Sequence, residues 1–567
     1  MARHLITSAL PYINGVKHLG NLVGSMLPAD MYARYLRLRG HEVLFICATD
    51  EHGTPAELAA LDAGLDVAEY CRQQYKRQAE VYRGFSLSFD HFGRSSSPQN
   101  AELTQYFARR LEEEGFIEER EIKQVYSLAD QRFLPDRYII GTCSYCRYTA
   151  ARGDQCESCT RLLDPTDLIE PRSAVSGSTE LEVRQSRHLF LLQSKLAHEL
   201  SAWIDRNEHW PILVTSIARK WLNEGIADRC ITRDLRWGVP VDRPGFENKV
   251  FYVWFDAPIA YLGATYEWAD IDPEHRDWRS WWYEADDVIY TQFMGKDNIP
   301  FHTISWPATI FGSRRPWKLV DQLKGFNWLN YYGGKFSTSQ GVGVFMDDAL
   351  ELLPADYWRW YLIANAPESA DVSFTWKLFA TAVNSDLADT LGNFVNRTLM
   401  FAARQFGQTI PEGGELGPIE QHLATELGDA VTSYTGHMEQ LQFRKAAHEL
   451  REVWARGNTY LERTTPWTAI RKNREQTACT LRTAINLIRI FSILATPVIP
   501  VSSTQILAAL GLPAATAWLS GDMVAELQRL GPGHPFTVPA PLFRKITDED
   551  IAAWIDRFGA SEAVAQA

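Results

Sequence analysis

The 567-residue sequence contains no run of eighteen or more apolar residues, so no membrane-spanning helix is expected. Its beginning, MARHLITSALPYING, has neither the apolar length nor the small-residue cleavage site of a secretory signal, and the expected compartment is the cytoplasm. Positive charge is in deficit: 57 Lys plus Arg stand against 70 Asp plus Glu, a net charge of −13. That balance argues against a protein that coats DNA or an anionic membrane by bulk charge, and leaves room for a local basic face. Cysteine is sparse, at eight residues, and Cys47, Cys71, Cys230 and Cys479 stand alone. Internal repeats and low-complexity tracts are absent. Aromatics, by contrast, are abundant: 19 Trp, 22 Tyr and 27 Phe within a 46% hydrophobic composition exclude a disordered chain. At roughly 150 residues per domain the length corresponds to about four domains.

The run from His4 to Leu10 is apolar and partly β-branched, halted by Pro11 and the Asn14-Gly15 turn signal, and reads as a buried strand. Leu19, Leu22, Val23, Met26, Ala29 and Ala33 then recur at helical spacing. Arg34, Arg37 and Arg39 precede Gly40 as a helix end prefers, and a second strand follows at Val43–Ala48. Strand, helix, strand in about fifty residues predicts a parallel βαβ unit with a ligand crevice at the carboxyl ends of the strands. Helical patterns are expected on through Glu114. From about Gly115 to Arg229 the rhythm breaks, as an inserted domain would break it. Strands are expected again at Val250–Trp254 and Val288–Met294, each running into a polar turn. The fold class expected is α/β: a split, doubly wound parallel sheet of Rossmann type, an inserted zinc-binding connective domain, and an α-helix bundle. The expected boundaries are 1–115 and 231–323 for the two sheet halves, 116–230 for the insertion, 324–385 for a connector, 386–545 for the bundle, and 546–567 for a last helix and tail.

Four features carry chemistry. His18-Leu-Gly-Asn21 opens the first helix, where unpaired backbone N–H groups favour an anion such as phosphate; the alternative is that His18 only caps the helix and Gly20 only permits close packing. Gly333–Gly343 is a Gly- and Ser-rich loop in which Lys335 offers a compact charge and Ser337 and Ser339 offer hydroxyls; alone, it could equally be a mobile surface loop. Cys143, Cys146, Cys156 and Cys159, spaced C-x2-C-x9-C-x2-C, form two knuckles able to close a tetrahedral Zn²⁺ site with no open position, hence structural; the alternative is two buried, metal-free pairs. In the bundle region Asn393 and Arg397 lie four apart on one helical face, and Thr465-Pro466-Trp467 is a helix start. Arg463, Arg471, Lys472 and Arg474 surround Trp467, and the alternative is a plain bundle with Trp467 as a core anchor.

Together, the His18-Leu-Gly-Asn21 motif and the Lys335-Phe-Ser-Thr-Ser339 loop resemble the signature pair of class I aminoacyl-tRNA synthetases. Ser8–Tyr12, Phe45–Asp50 with Glu51–Pro55, Phe251–Trp254 with Asp256–Pro258, and Gly295–Asp297 leading to Phe301-His302 resemble the methionyl-tRNA synthetases, in that family's order from about residue 3 to residue 500. The resemblance is to the type with a single zinc knuckle and no C-terminal dimerisation domain, and it implies a monomer. It implies a ligase that joins L-methionine to ATP as methionyl-adenylate, with Mg²⁺ on the phosphates, and then to a tRNA bearing a CAU anticodon; neither DNA nor a membrane is an implied partner. The implied catalytic residues are His18, Asn21, Lys335 and Thr338. Gly20, Gly295, Asp297, Ser337 and Ser339 complete the implied ATP site. Leu10, Tyr12, Asp50, Trp254, Ala257, Pro258, Tyr261, Phe301 and His302 are the implied methionine site. A thioether suits such an aromatic pocket, and Asp50 would meet the ammonium, unless it only caps the following helix. Asn393, Arg397 and Trp467 are the implied anticodon readers, by base-edge bonds and stacking.

The sequence departs from the family at Thr338, which stands where a second lysine usually stabilises the pyrophosphate. A missing charge-assisted bond of about 1.5–3 kcal/mol slows adenylation by roughly ten- to a hundredfold unless Lys335 or another cation compensates. Two competing readings follow: a paralogue activating methionine or a relative of it for another role or as an inhibitor-resistant copy, and a catalytically silent tRNA-binding protein. Methionine-dependent ATP–pyrophosphate exchange and charging of CAU-anticodon tRNA separate the three.

Overall fold

A computed structural model describes residues 2–153, 156, 158, 159, 161, 163–336 and 341–559, without the side chain of Asp136. Its central sheet has five parallel strands: β1 (Arg3–Ser8), β2 (Glu42–Thr49), β3 (His91–Arg94), β4 (Val288–Gly295) and β5 (Gln322–Phe326). They lie in the order β5-β4-β1-β2-β3. The order reverses between β1 and β4, and a doubly wound sheet opens its ligand crevice at such a reversal. The apolar runs of the three inner strands β1, β2 and β4 reflect burial on both faces: Ile6, Phe45 and Phe293 enter one core, while Leu5, Leu44, Ile46 and Met294 enter the other.

Between β3 and β4 the insertion builds its own antiparallel pair, Ile117–Ser127 against Leu181–Leu191, in register from Ile117↔Leu191 to Ser127↔Leu181. A small sheet of Ile139–Thr142, Ala151–Arg152 and Ile169–Ser173 carries the cysteine knuckles.

Two expectations require correction. The segment expected to be helical through Glu114 contains β3; His91-Phe-Gly-Arg94 is short and polar, and becomes an edge strand because β2 offers it a free ladder from Ile46↔His91 to Thr49↔Arg94. The run expected as a strand over Val250–Trp254 is extended only at Val250–Phe251, which pairs antiparallel with Thr232–Arg233 outside the main sheet. It then turns helical over Val253–Asp256. The Phe251 and Phe255 rings pack at a tilt with centroids 5.5 Å apart, and both are buried in the second core. A short apolar run fits either period, and packing chose the helical turn.

After β5 the chain forms a three-stranded sheet of Leu329–Tyr331, Gly334–Lys335 and Val372–Phe374, followed by helices. Arg359, fully buried, joins three parts of the chain. Its guanidinium donates to Asp30 Oδ2 at 2.7 Å, to the Phe85 carbonyl at 3.0 Å, and to the Val498 and Pro497 carbonyls at 2.7 and 3.0 Å. Asp30 is also held by Arg34, at 2.9 Å, and by the backbone and hydroxyl of Ser88. Burial alone would raise the Asp30 pKa, but these partners hold it down at about 2. The bundle comprises α1 (Asn393–Phe406), α2 (Pro418–Glu439), α3 (Phe443–Thr464) and α4 (Arg474–Ala495). By length and composition α4 could cross a membrane, yet every residue from Thr477 to Ala495 is buried in the protein. The last described helix is Asp548–Phe558.

Candidate functional site

The loop after β1 turns at Asn14-Gly15 and enters a helix at His18. Here the sequence makes a reciprocal cap: His18 Nδ1 accepts from the Asn21 N–H, and Asn21 Oδ1 accepts from the His18 N–H, both at 3.3 Å. Because Nδ1 is the acceptor, the ring proton sits on Nε2. Burial, reinforced by Lys17, pushes the His18 pKa down to about 3, so near pH 7 the ring is a neutral donor through Nε2. The capping alternative and the ligand-facing one are therefore compatible: the cap fixes the tautomer and leaves Nε2–H and the Asn21 amide N–H2 for a ligand. A Cβ on Gly20 would lie 3.0 Å from His18 Nδ1 and 3.4 Å from the Leu329 carbonyl, which explains the glycine.

These groups border a cavity of about 260 Å³ at the β1/β4 reversal, lined also by Leu10, Gly295, Asp297, Asn298, Asn327, Trp328, Asn330, Lys335 and Phe336. A Cβ on Gly295 would stand 2.7 Å from Asp297 Oδ1 and would push that carboxylate from its present position. Lys335 is exposed, with its ammonium 4.6 Å from the Trp328 ring centroid. Phe336 stacks on His18 at 4.8 Å, and Gly343, at φ +105°, leaves room for that ring. Leu19 N–H donates to the Val344 carbonyl at 3.1 Å and Met346 N–H to the Lys17 carbonyl at 2.9 Å, so the segment that follows the loop is held against the His18 turn. Ser337, Thr338 and Ser339 lie outside the described residues. Trp328, Asn327 and Asn330 were missed from sequence; the usable signal was their place just beyond the carboxyl end of β5.

A second half of the crevice lies past β2. Asp50 pairs with Tyr12 in the backbone, its N–H donating to the Pro11 carbonyl and its carbonyl accepting from Ile13 N–H, both at 2.9 Å. The helix that follows is capped by Gly53 with no side-chain bond, so Asp50 is not its cap. Asp50 Oδ1 is buried without a hydrogen-bond partner among the described residues. Burial, with Asp256 and Glu51 adding to it and Lys17 opposing, pushes its carboxyl well above the usual range. Lys17 is itself buried; its ammonium donates to Asn14 Oδ1 at 2.8 Å, and burial brings its pKa down to about 7. Asp256 holds His52 through Oδ2. His52 and Asp256 fall within motif segments quoted from the sequence but were given no role there, and Lys17 was not singled out.

Around Asp50 the aromatics converge. Trp254 Nε1 donates to the Tyr12 hydroxyl at 3.2 Å and its ring lies 4.8 Å from that of Phe301. The fully buried Tyr261 bonds His302 Nε2 at 2.9 Å, while His302 Nδ1 meets the Asn298 carbonyl at 2.9 Å. Burial pushes the His302 pKa to about 4, so it is neutral, donating from Nδ1 and accepting at Nε2. Pro258 lines a separate small apolar cavity with Trp254, and Ala257 beside it is half-buried.

The four clustered cysteine sulfurs all lie within 4.8 Å of one another, with Cys143 to Cys159 at 3.9 Å and Cys146 to Cys156 at 3.6 Å. Four sulfurs around one Zn²⁺ at about 2.3 Å stand about 3.8 Å apart, so the set fits that ion. Each knuckle is closed alike: Cys143 N–H donates to the Tyr148 carbonyl and Cys156 N–H to that of Arg161.

At the bundle end, Asn393 and Arg397 are exposed on α1. The Arg397 guanidinium lies 4.7 Å from the Trp467 ring centroid. Trp467, in the short helix Pro466–Ala469, is half-buried against the bundle core, so the core-anchor reading holds for part of its surface. Arg463, Arg471, Lys472 and Arg474 are exposed nearby in sequence.

Residues 4–399 match the family described as tRNA synthetases class I (M), and residues 410–563 match the anticodon binding domain of methionyl tRNA ligase. The methionine–tRNA ligase of Streptomyces avermitilis is 63% identical over 99% of both chains. That of Caulobacter vibrioides is 58% identical over 99% of this chain and all of its own. Mycobacterium tuberculosis methionyl-tRNA synthetase, solved in complex with methionyl-adenylate, superposes with a TM-score of 0.77 at 26% identity, over 96% of this chain and all of that one.

Proposed function

The chain belongs to the methionyl-tRNA synthetases and is a methionine–tRNA ligase, and from that premise we propose which of its residues do the work. The proposal rests on one observation: Asp50 Oδ1, a buried carboxylate oxygen without a partner among the described residues, lies across the β1 turn from a cavity bordered by the neutral donor His18. Asp50 receives the methionine ammonium. Tyr12, Trp254 and Phe301 enclose the thioether, with Leu10, Ala257, Pro258, Tyr261 and His302 completing the pocket; the Tyr261–His302 bond presents an uncharged wall suited to sulfur.

The methionine carboxylate then attacks the α-phosphate of ATP in line, a P–O bond forms, and pyrophosphate leaves. No side-chain nucleophile is needed, so positioning and charge stabilisation supply the acceleration. His18 Nε2–H and the Asn21 amide donate to phosphate oxygens, and Gly20 lets the nucleotide approach. Asp297, beside Gly295, accepts from the ribose hydroxyls. Lys335, with Ser337, Thr338 and Ser339, meets the phosphates from the other side, and Mg²⁺ enters with the nucleotide. In the second step the terminal tRNA ribose hydroxyl attacks the acyl carbon and AMP leaves.

Cys143, Cys146, Cys156 and Cys159 would hold one Zn²⁺, which supplies folding stability to the knuckle and no open coordination position. Asn393, Arg397 and Trp467 read the CAU anticodon, with Arg463, Arg471, Lys472 and Arg474 on phosphates. We place the division of labour at the boundaries expected from sequence and the enzyme in the cytoplasm. Methionine-dependent ATP–pyrophosphate exchange, followed by charging of CAU-anticodon tRNA, tests the assignment. Exchange unaffected by His18→Ala and Asp50→Ala would overturn it.

A further inference from the structure

A second cation lies beside the nucleotide cavity. Lys296 lies between Gly295 and Asp297, both of which line the cavity, and its ammonium stands 4.2 Å from the centroid of Trp328. Lys335 approaches the same indole at 4.6 Å. Asp371 binds the group together: its Oδ1 accepts from Lys296 Nζ at 2.7 Å and from the Trp328 backbone N–H at 2.9 Å. Burial would raise the Asp371 pKa, but the bonds from Lys296 and Trp328 and the fields of both lysines hold it below the ordinary carboxylate range. Two ammonium groups and one carboxylate surround the Trp328 ring, so this cluster by itself carries one excess positive charge, which Asp297 on the same cavity balances. Gathering like charges this closely is unfavourable by itself, and is relieved by an anion between them. The signature loop holds Lys335 as its only lysine, since Thr338 supplies no charge.

We propose that Lys296 is a second phosphate-binding cation, acting with Lys335 on the pyrophosphate half of ATP from the Trp328 platform and supplying the charge that Thr338 does not. This rests on the cavity being the ATP site as assigned above. In the resting enzyme Asp371 holds the Lys296 ammonium on the indole; a triphosphate offers it stronger anionic partners a few ångströms away.

The test uses the full-length enzyme as wild type, Lys296→Met, Lys296→Arg, Lys335→Met and Lys296→Met combined with Thr338→Lys. The readouts are methionine-dependent exchange with separate KM for ATP and methionine, affinity for inorganic pyrophosphate by titration, and melting temperature. Lys296→Met is expected to lose about 10- to 100-fold in kcat/KM for ATP and a similar factor in pyrophosphate affinity, with KM for methionine unchanged. Lys296→Arg keeps most of the rate, and Thr338→Lys restores the Lys296→Met enzyme. A purely structural lysine would lower the melting temperature and move both KM values, without rescue by a charge introduced on the loop; that pattern overturns the proposal, as does unchanged pyrophosphate affinity. Loss of rate in Lys335→Met but not in Lys296→Met overturns the role of Lys296 alone, whereas absence of exchange in the wild type overturns the cavity assignment and this inference together.

Discussion

Replacing Asp50 with Asn removes a charge while keeping the shape and both backbone bonds, to Pro11 and from Ile13, that hold the residue in place. Its Oδ1 is buried and has no partner among the described residues, so a substrate ammonium there forms a charge-assisted bond without displacing a donor among them. Such a bond is worth about 1.5–3 kcal/mol, or roughly 10- to 150-fold in affinity, and burial favours the upper part of that range. The expected result is a rise of that size in KM for methionine in pyrophosphate exchange, with KM for ATP little changed. Two inhibitors isolate the interaction. Methioninol keeps the ammonium and loses the carboxylate, and its inhibition should weaken in Asp50→Asn; 4-(methylthio)butyrate keeps the carboxylate and loses the ammonium, and its inhibition should not. The pH dependence follows from the raised carboxyl pKa of the free enzyme. The ammonium binds the ionised form, so methionine affinity is full above that pKa and falls about tenfold per pH unit below it, with a proton released on binding. The groups that shape this titration are Asp256 and Glu51, which raise it, and Lys17, which lowers it while protonated. A wild-type 1/KM for methionine that does not fall as the pH is lowered, together with equal weakening of both inhibitors by Asp50→Asn, would refute the reasoning.

Three further outcomes are expected. Cys146→Ala should purify without its equivalent of zinc by elemental analysis and should loosen the knuckle to proteolysis; full zinc content would exclude the four-sulfur site. Asp30→Asn strands the buried Arg359 guanidinium and should cost about 3–5 kcal/mol in the first urea transition, with the double change Asp30→Asn, Arg359→Met costing less; a loss below about 1 kcal/mol would show the pair to be incidental. Because pairing depresses the Asp30 pKa to about 2, this contribution is full above the unfolded carboxylate pKa and is lost progressively as pH falls from there through about 2. Trp467→Ala should lower tRNA charging by about 1–3 kcal/mol in kcat/KM for tRNA while leaving tRNA-independent exchange intact; equal losses in both assays would assign Trp467 to bundle stability instead.

The residues of the nucleotide half were legible in the sequence because each sits at a place that local rules mark: His18 at a helix start, Asp297 at a strand end, Lys335 in a glycine-rich loop. Asp50 was legible for the same reason, at the end of β2. What surrounds it was not. Lys17 and Asp256 are 33 and 206 positions from Asp50, and no local pattern signals that they share its field. Tyr261 and His302, forty-one positions apart, were named through family resemblance, but the bond that fixes the histidine's tautomer exists only because the helix Ala260–Asp270 and the helical turn Phe301–Ser305 after β4 meet in the fold. The strand expected at Val250–Trp254 and the strand overlooked at His91–Arg94 show the same limit, since both depended on which neighbour offered a partner.

By itself, the sequence determined the alternation of strand and helix, the four-thiol knuckle, and the exclusion of indiscriminate phosphate binding that a net charge of −13 imposes. These follow from period, spacing and summed charge, which are local or additive. The tertiary structure alone decided that Lys296 and Lys335 share one indole, that a carboxylate oxygen of Asp50 is left without a partner among the described residues, and that Arg359 joins three distant parts of the chain. Those depend on desolvation and on distances between residues far apart in sequence, and such quantities exist only once the chain has folded.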